Sequence, residues 1–255
     1  MGKNKLRKFA EMDANPLVFQ YPAAAVRLAG DIPLKGRWGQ DVFHNDRPIV
    51  LELGCGRGEY TVGLARRTPD KNFIGIDIKG ARMHAGASEA LREGMTNVAF
   101  LRTDIEAIDH FFAPGEVQEV WITFPDPQMQ KVRKRLTGTR FIELYRRILA
   151  PDGTVHLKTD SPFLYAYTRA MAALNGLEVR ADVADIYAER PDDPVLSIRT
   201  HYESQWLARG LTIKYIALGI GGDTPLAEPE DIFERDTYRS YSRGVLQGNC
   251  EPPRQ

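Results

Sequence analysis

From residue 49 onward the chain alternates short apolar, β-branched runs with longer segments whose apolar positions recur at helical spacing. Ile49-Val50-Leu51-Glu52-Leu53 predicts a strand, and Tyr60, Val62, Leu64 and Ala65 predict a helix that stops near Pro69. A strand at 72–76 ending in Asp77, a helix at 80–93 and a strand at 97–101 ending in Thr103-Asp104 follow. After a short helix come a strand at 117–124, an amphipathic helix at 139–149 stopped by Pro151-Asp152-Gly153, and a strand at 154–158. A helix at 161–174, opened by Ser161-Pro162, then leads to a strand at 177–183. Strands alternating with helices specify a parallel sheet covered on both faces, a doubly wound α/β domain.

The pattern breaks near the end. Residues 198–208 predict a helix entered at Thr200, and only Arg209-Gly210 separates it from a strand at 211–218, too short a link for a parallel crossover. The expectation is a mostly parallel, seven-stranded sheet whose last strand is antiparallel. Residues 1–13 lack an apolar period and predict an arm with Lys3, Lys5, Arg7 and Lys8, either solvated or touching RNA. Residues 22–28 predict a short outer helix, and 33–48 an irregular lead-in. Gly221-Gly222 opens an acidic tail without periodicity. The chain thus divides into an arm and lead-in (1–47), a core domain (48–220) and a tail (221–255).

Composition narrows the choices. At 255 residues and 43% hydrophobic content the chain can bury one full core. Lysine plus arginine (34) balances aspartate plus glutamate (34), so a polyanion has to be met by a local patch. Residues 131–147 supply one, with Lys131, Arg133, Lys134, Arg135, Arg140, Arg146 and Arg147 against Glu143 alone. Cys55 and Cys250 are far apart, without a CxxC partner or histidine at ligand spacing, which argues against a disulfide framework or structural zinc. The five histidines show no metal spacing either. No run approaches the ~18 apolar residues of a membrane span, so the expectation is a cytoplasmic protein with no membrane partner and no metal.

The chemistry concentrates at the predicted strand ends. Gly54-Cys55-Gly56-Arg57-Gly58, between a strand and a helix, is where an open α/β sheet brings a ligand against bare backbone. Its third glycine comes one residue too early for the G-x-G-x-x-G dinucleotide fingerprint. Preceded by Glu52, the loop resembles the first motif of Rossmann-like S-adenosylmethionine-dependent methyltransferases. Asp77, nineteen positions after Gly58, offers two acceptor oxygens to the hydroxyls of a ribose. Asp104 either accepts from an adenine amino group or caps the helix that follows it. Asp126 stands between Pro125 and Pro127 at the end of the fourth strand, where the ligand crevice of such a sheet opens, on a loop stiffened by both prolines.

Phe124-Pro125-Asp126-Pro127 with cations after it, Lys158-Thr159-Asp160, and Thr200-His201-Tyr202-Glu203 together resemble the tRNA (guanine-N7)-methyltransferase family, from about residue 48 to 218. The resemblance implies that Glu52, Asp77, Asp104 and Asp126 bind S-adenosylmethionine or act at the catalytic centre. It further implies that a lysine after the Pro-Asp-Pro, Asp160, and the Thr200, Tyr202 and Glu203 stretch bind tRNA, at position 46 of the variable loop. The family's commoner pattern has tryptophan after Pro-Asp-Pro and a longer basic stretch; here Gln128-Met129-Gln130 follow. Counting from Asp126 puts Gln130 at the lysine position, and a shifted gap puts Lys131 there; only Lys131 supplies the cation, with Arg133 beside it. Read without the resemblance, Thr200 and Glu203 are a capping box.

Guanine N7 carries a lone pair and no proton, so its methylation needs alignment and desolvation rather than a strong base. Asp126 is therefore assigned the Watson–Crick edge of the guanine, with Asp160 and Glu203 as second candidates. The rival readings are a methyltransferase for another RNA or a small molecule, and a non-catalytic nucleotide-binding RNA adaptor. The oligomeric state, monomer or homodimer, is open.

Overall fold

A computed structural model describes residues 3–22, 26, 28 and 30–238. In chain order, α1 (Lys3–Asp13) and β1 (Val18–Gln20) precede the first βαβ unit, β2 (Ile49–Leu53), α2 (Glu59–Arg67) and β3 (Asn72–Asp77). Then come α3 (Gly80–Arg92), β4 (Val98–Arg102), β5 (Val117–Thr123), α4 (Thr139–Arg146) and β6 (Leu149–Thr159). The chain continues with α5 (Pro162–Leu174), β7 (Glu178–Val183), α6 (Ile186–Glu189), α7 (His201–Leu207) and β8 (Lys214–Gly219).

Every residue of β2 is buried, as befits the middle of a sheet covered on both faces. The strand order is β1-β4-β3-β2-β5-β6-β8-β7. From β2 the chain winds outward through β3 and β4 on one side, then returns to build β5 and β6 on the other. That reversal opens a crevice between the loops leaving β2 and β5. β8 runs antiparallel to both β6 and β7, with Lys158 opposite Tyr215, while the other pairings are parallel.

Several expectations are corrected. Among the described residues the sheet has eight strands, not seven, because the three residues of β1 pair with β4 at its outer edge. Residues 3–13 are a helix and not an unpatterned arm. Phe9 and Met12, three apart, face the same way; Met12 is buried, and the Arg102 guanidinium lies 5.3 Å over the Phe9 ring. Asn15 then ties the chain to α3 by donating to the Ala87 carbonyl at 3.1 Å. The lead-in contains one π-helical turn, Trp38–Phe43, whose buried Trp38 donates from its indole nitrogen to the Phe111 carbonyl.

The helix expected to reach residue 149 ends at Arg146, and Leu149 already pairs with Val117. Pro151-Asp152-Gly153 forms a bulge inside β6, after which pairing resumes at Glu119 and Thr154. The short helix expected at 22–28 falls largely outside the described residues, and Cys250 lies outside them altogether. Among the described residues no helix is long and apolar enough to cross a membrane. No cluster of three or more His, Cys, Asp or Glu side chains there could hold a metal ion.

Candidate active site

The turn after β2 is built from three left-handed glycines, Gly54 (φ 76°), Gly56 (φ 56°) and Gly58 (φ 75°). They serve different ends. A Cβ on Gly54 would meet nothing within 4 Å, so its face is open to a ligand, and one on Gly56 would meet only the turn's own backbone. A Cβ on Gly58 would stand 2.6 Å from the Phe100 ring and 3.2 Å from the Gly86 Cα, so this glycine lets α2 close on α3 and β4. Asp77 spans the turn, accepting from the Gly56 amide at 3.0 Å and the Lys79 amide at 2.7 Å. Each of its oxygens keeps a lone pair for a ribose hydroxyl. Ile78, which the sequence reading passed over, is 57% exposed beside it and offers an apolar bed for a purine. An apolar residue directly after the acid at a strand end was the available signal. Asp104 caps the 3-10 turn Ile105–His110 by accepting from the Glu106 amide at 3.1 Å. An adenosine-bearing cofactor such as S-adenosylmethionine fits this bare, acid-rimmed backbone.

Glu52 does not line the crevice. It is 2% exposed and lies beneath the turn, accepting from the hydroxyls of Thr123 (2.6 Å) and Thr61. Burial pushes its carboxyl up to about 7, against the pull of those hydroxyls. The motif acid is thus a brace between β2, α2 and the end of β5.

Asp126 is exposed at the rim, on a loop bounded by two left-handed non-glycine residues, Phe124 (φ 49°) and Gln128 (φ 48°). Such conformations cost on the order of 1–3 kcal/mol each and persist only where the surroundings impose them. Three contacts impose them here. The Phe124 amide donates to the Lys158 carbonyl at 2.8 Å. Asp126 accepts from the Gln128 amide at 3.0 Å. Arg135 donates to the carbonyls of Gln128 (3.2 Å) and Met129 (3.0 Å).

Arg135 corrects the reading of residues 131–147 as one cationic patch. It is 5% exposed, with its guanidinium 4.8 Å over the Phe163 ring and 4.4 Å over that of Tyr167. Lys134 and Arg140 pair with Glu106, Arg147 pairs with Asp109, and Arg146 binds Glu143 and the carbonyls of Ile220 and Thr224. Lys131 and Arg133 are exposed and make no ion pair among the described residues. These two, singled out from the sequence, are the exposed patch cations whose charge no carboxylate meets among the described residues.

The remaining predicted substrate residues are mostly internal. Thr200 and Glu203 form the capping box of α7, and Glu203 is wholly buried against Lys158. Tyr202, by contrast, is 41% exposed. The His201 amide donates to Glu59, the first residue of α2, at 2.8 Å, which holds the start of α7 beside the glycine turn.

Asp160 has no exposed surface and accepts from the Tyr238 hydroxyl at 2.8 Å. Tyr238 arrives on residues 220–238, an irregular strap over α4 and α5. Glu228 accepts from the Thr139 hydroxyl (2.6 Å) and the Tyr167 hydroxyl (2.6 Å), and Asp236 accepts from Ser161 Oγ and the Phe163 amide at the start of α5. The acidic tail that showed no periodicity is held by these carboxylates and by Leu226 and Phe233, which pack against the core, Phe233 edge-on to the rings of Phe163 (6.1 Å) and Tyr167 (5.8 Å).

Residues 46–216 match a family model described as a putative methyltransferase. A tRNA (guanine-N(7)-)-methyltransferase from Porphyromonas gingivalis is 63% identical over 235 residues, covering 91% of this chain and 96% of the relative. One from Bacteroides thetaiotaomicron is 57% identical over 250 residues, covering 97% and 98%. One from Streptococcus pyogenes is 36% identical over 181 residues, covering 70% and 84%. Among solved structures, the 16S rRNA methyltransferase KamB aligns with a TM-score of 0.54 at 14% identity, over 69% of this chain and 88% of its own, a likeness of fold alone.

Proposed function

This chain belongs to the family of tRNA (guanine-N7)-methyltransferases, and we propose that it acts on the guanine at position 46 of the variable loop, with Asp126 holding the base. Its activity is the S-adenosylmethionine-dependent transfer of a methyl group to N7 of guanine in tRNA. The observation that carries the residue assignment is the placing of Asp126, an exposed carboxylate on a strained, tethered loop at the switch point beside the glycine turn.

When bound, S-adenosylmethionine supplies a methyl group activated by its sulfonium. Gly54 and Gly56 give the bare backbone that would admit it, Asp77 would take the ribose hydroxyls, Ile78 would support the adenine, and Asp104 would take the adenine amino group with its remaining lone pairs. Gly58 and Glu52 act beneath the cofactor, by packing and by bracing. Asp126 would accept from N1–H and the N2 amino group of the guanine, and its charge would favour the positive charge that methylation at N7 places on the base. N7 holds no proton, so no general base is required. Lys131 and Arg133 hold flanking phosphates, and Tyr202 presents an aromatic face to a base that has left its stack. We assign residues 48–220 to the methyltransferase domain and place the protein in the cytoplasm.

Incubation of unmodified tRNA with the protein and methyl donor, followed by borohydride and aniline, cleaves the RNA at 7-methylguanosine. A new cut at position 46 is expected. A cut elsewhere overturns the position, and no cut overturns the function.

A further inference from the structure

Lys158 is the residue at which the two walls of the crevice meet. Its backbone carbonyl accepts the amide of Phe124, the first residue of the strained Asp126 loop, at 2.8 Å. Its ammonium donates to the carbonyls of Leu196 (2.7 Å) and Ile198 (2.9 Å) and lies 2.8 and 2.9 Å from the two carboxylate oxygens of Glu203. Leu196 and Ile198 lie on the segment leading into α7, and Glu203 on α7 itself, the helix that carries Tyr202. The same ammonium stands 5.0 Å from the centroid of the Tyr60 ring and 5.7 Å from that of Phe124. A single buried side chain therefore touches the loop that carries Asp126, the helix after the glycine turn and the base of α7.

Neither member of the pair has exposed surface, so neither reaches a bound tRNA in this arrangement. Stability alone is a weak reason for such a pair. Removing both charges from water costs about as much as their attraction returns, and an apolar pair of like volume is often as stable or more so. What an apolar pair lacks is direction. The three N–H groups of Lys158 go to three acceptors at set angles, and Glu203 is fixed in turn by the Tyr187 hydroxyl at 2.7 Å and the Thr200 amide at 3.3 Å.

We propose that Lys158 and Glu203 are positioning residues for methyl transfer, a buried pair that sets the Asp126 loop and the Tyr202 end of α7 at a fixed separation so that a guanine between them presents N7 to the donor. The proposal rests on the guanine-N7 reading of the crevice. It moves Glu203 from the substrate contact implied by resemblance to a role exerted through Lys158, and it gives Lys158 a role that neither the resemblance nor the family match supplies.

The test is the double variant Lys158→Met/Glu203→Leu, which replaces the ion pair by an apolar one. Thermal unfolding, donor affinity by calorimetry and steady-state methylation of tRNA are compared with the unaltered protein. The expected result is a Tm within a few degrees, an unchanged donor Kd, and a kcat lowered at least about ten-fold with little change in KM for tRNA. A folded, donor-binding double variant with full kcat overturns the proposal, as does a loss confined to KM, which would mark Glu203 as a tRNA contact. If the double variant does not fold, Glu203→Gln keeps the volume and the bond from Tyr187. It must then show the same loss of kcat, and an intact kcat overturns the proposal. Failure of the unaltered protein to form 7-methylguanosine removes the functional reading itself, whereas an active wild type with a fully active variant removes only the positioning role.

Discussion

The hydroxyl of Thr123 donates to Glu52 Oε1 at 2.6 Å, joining the strand that leads into the glycine turn to the strand that delivers Asp126. Because the acceptor is buried, this brace has a pH signature. The Glu52 carboxyl is raised from 4.5 to about 7, so the folded chain holds a proton on it that the unfolded chain has lost between those values. Its contribution to stability is full below pH 4.5 and is lost as pH rises through about 7, a change of about 3 kcal/mol. Urea unfolding of the wild type and of Glu52→Gln at pH 5 and pH 8 checks this. The stability difference between the two should move in favour of the variant at pH 8, and a pH-independent difference contradicts the account.

Arg135 should matter to catalysis without touching substrate. Arg135→Lys keeps the charge but cannot bridge the Gln128 and Met129 carbonyls while stacking between Phe163 and Tyr167. A destabilisation of about 1–3 kcal/mol is expected, together with a lowered kcat for tRNA methylation. Chemical denaturation and steady-state kinetics measure the two effects.

The cations of residues 131–147 should separate into two groups. Lys131→Ala and Arg133→Ala are each expected to weaken tRNA binding and to lower the slope of log K against log salt by about 1. Lys134→Ala and Arg140→Ala, whose charges are already met by Glu106, should change that slope less. Filter binding at several salt concentrations distinguishes the groups.

The strap should be a source of stability. Glu228→Gln and Asp236→Asn each weaken hydrogen bonds that a carboxylate accepts at the start of α4 or α5, and a loss of about 1–2 kcal/mol apiece is expected from thermal or urea unfolding.

What could be read from the sequence was local. The glycines at 54, 56 and 58, the acids ending β3 and β4, and the proline-boxed Asp126 announce themselves within a few residues, and hydrophobic period delivers the strands that place them. The rest depends on contacts distant in sequence. Arg135 is indistinguishable from Arg133 until α5 brings Phe163 and Tyr167 against it. Glu203 reads as a cap, correctly, but its partner Lys158 is 45 residues away. Residues 220–238 have no period to detect, because their anchors, the carboxylates of Glu228 and Asp236 and the apolar side chains of Leu226 and Phe233, follow neither a helical nor an alternating spacing. β1, three residues long, is too short to register as alternation.

The central claim is that Asp126 holds the guanine, and single-turnover methylation of tRNA by Asp126→Ala, alongside donor titration by calorimetry, tests it most directly. The account predicts a rate lowered by at least about a hundred-fold with donor affinity largely kept. An unchanged rate in a variant that still binds donor would contradict it.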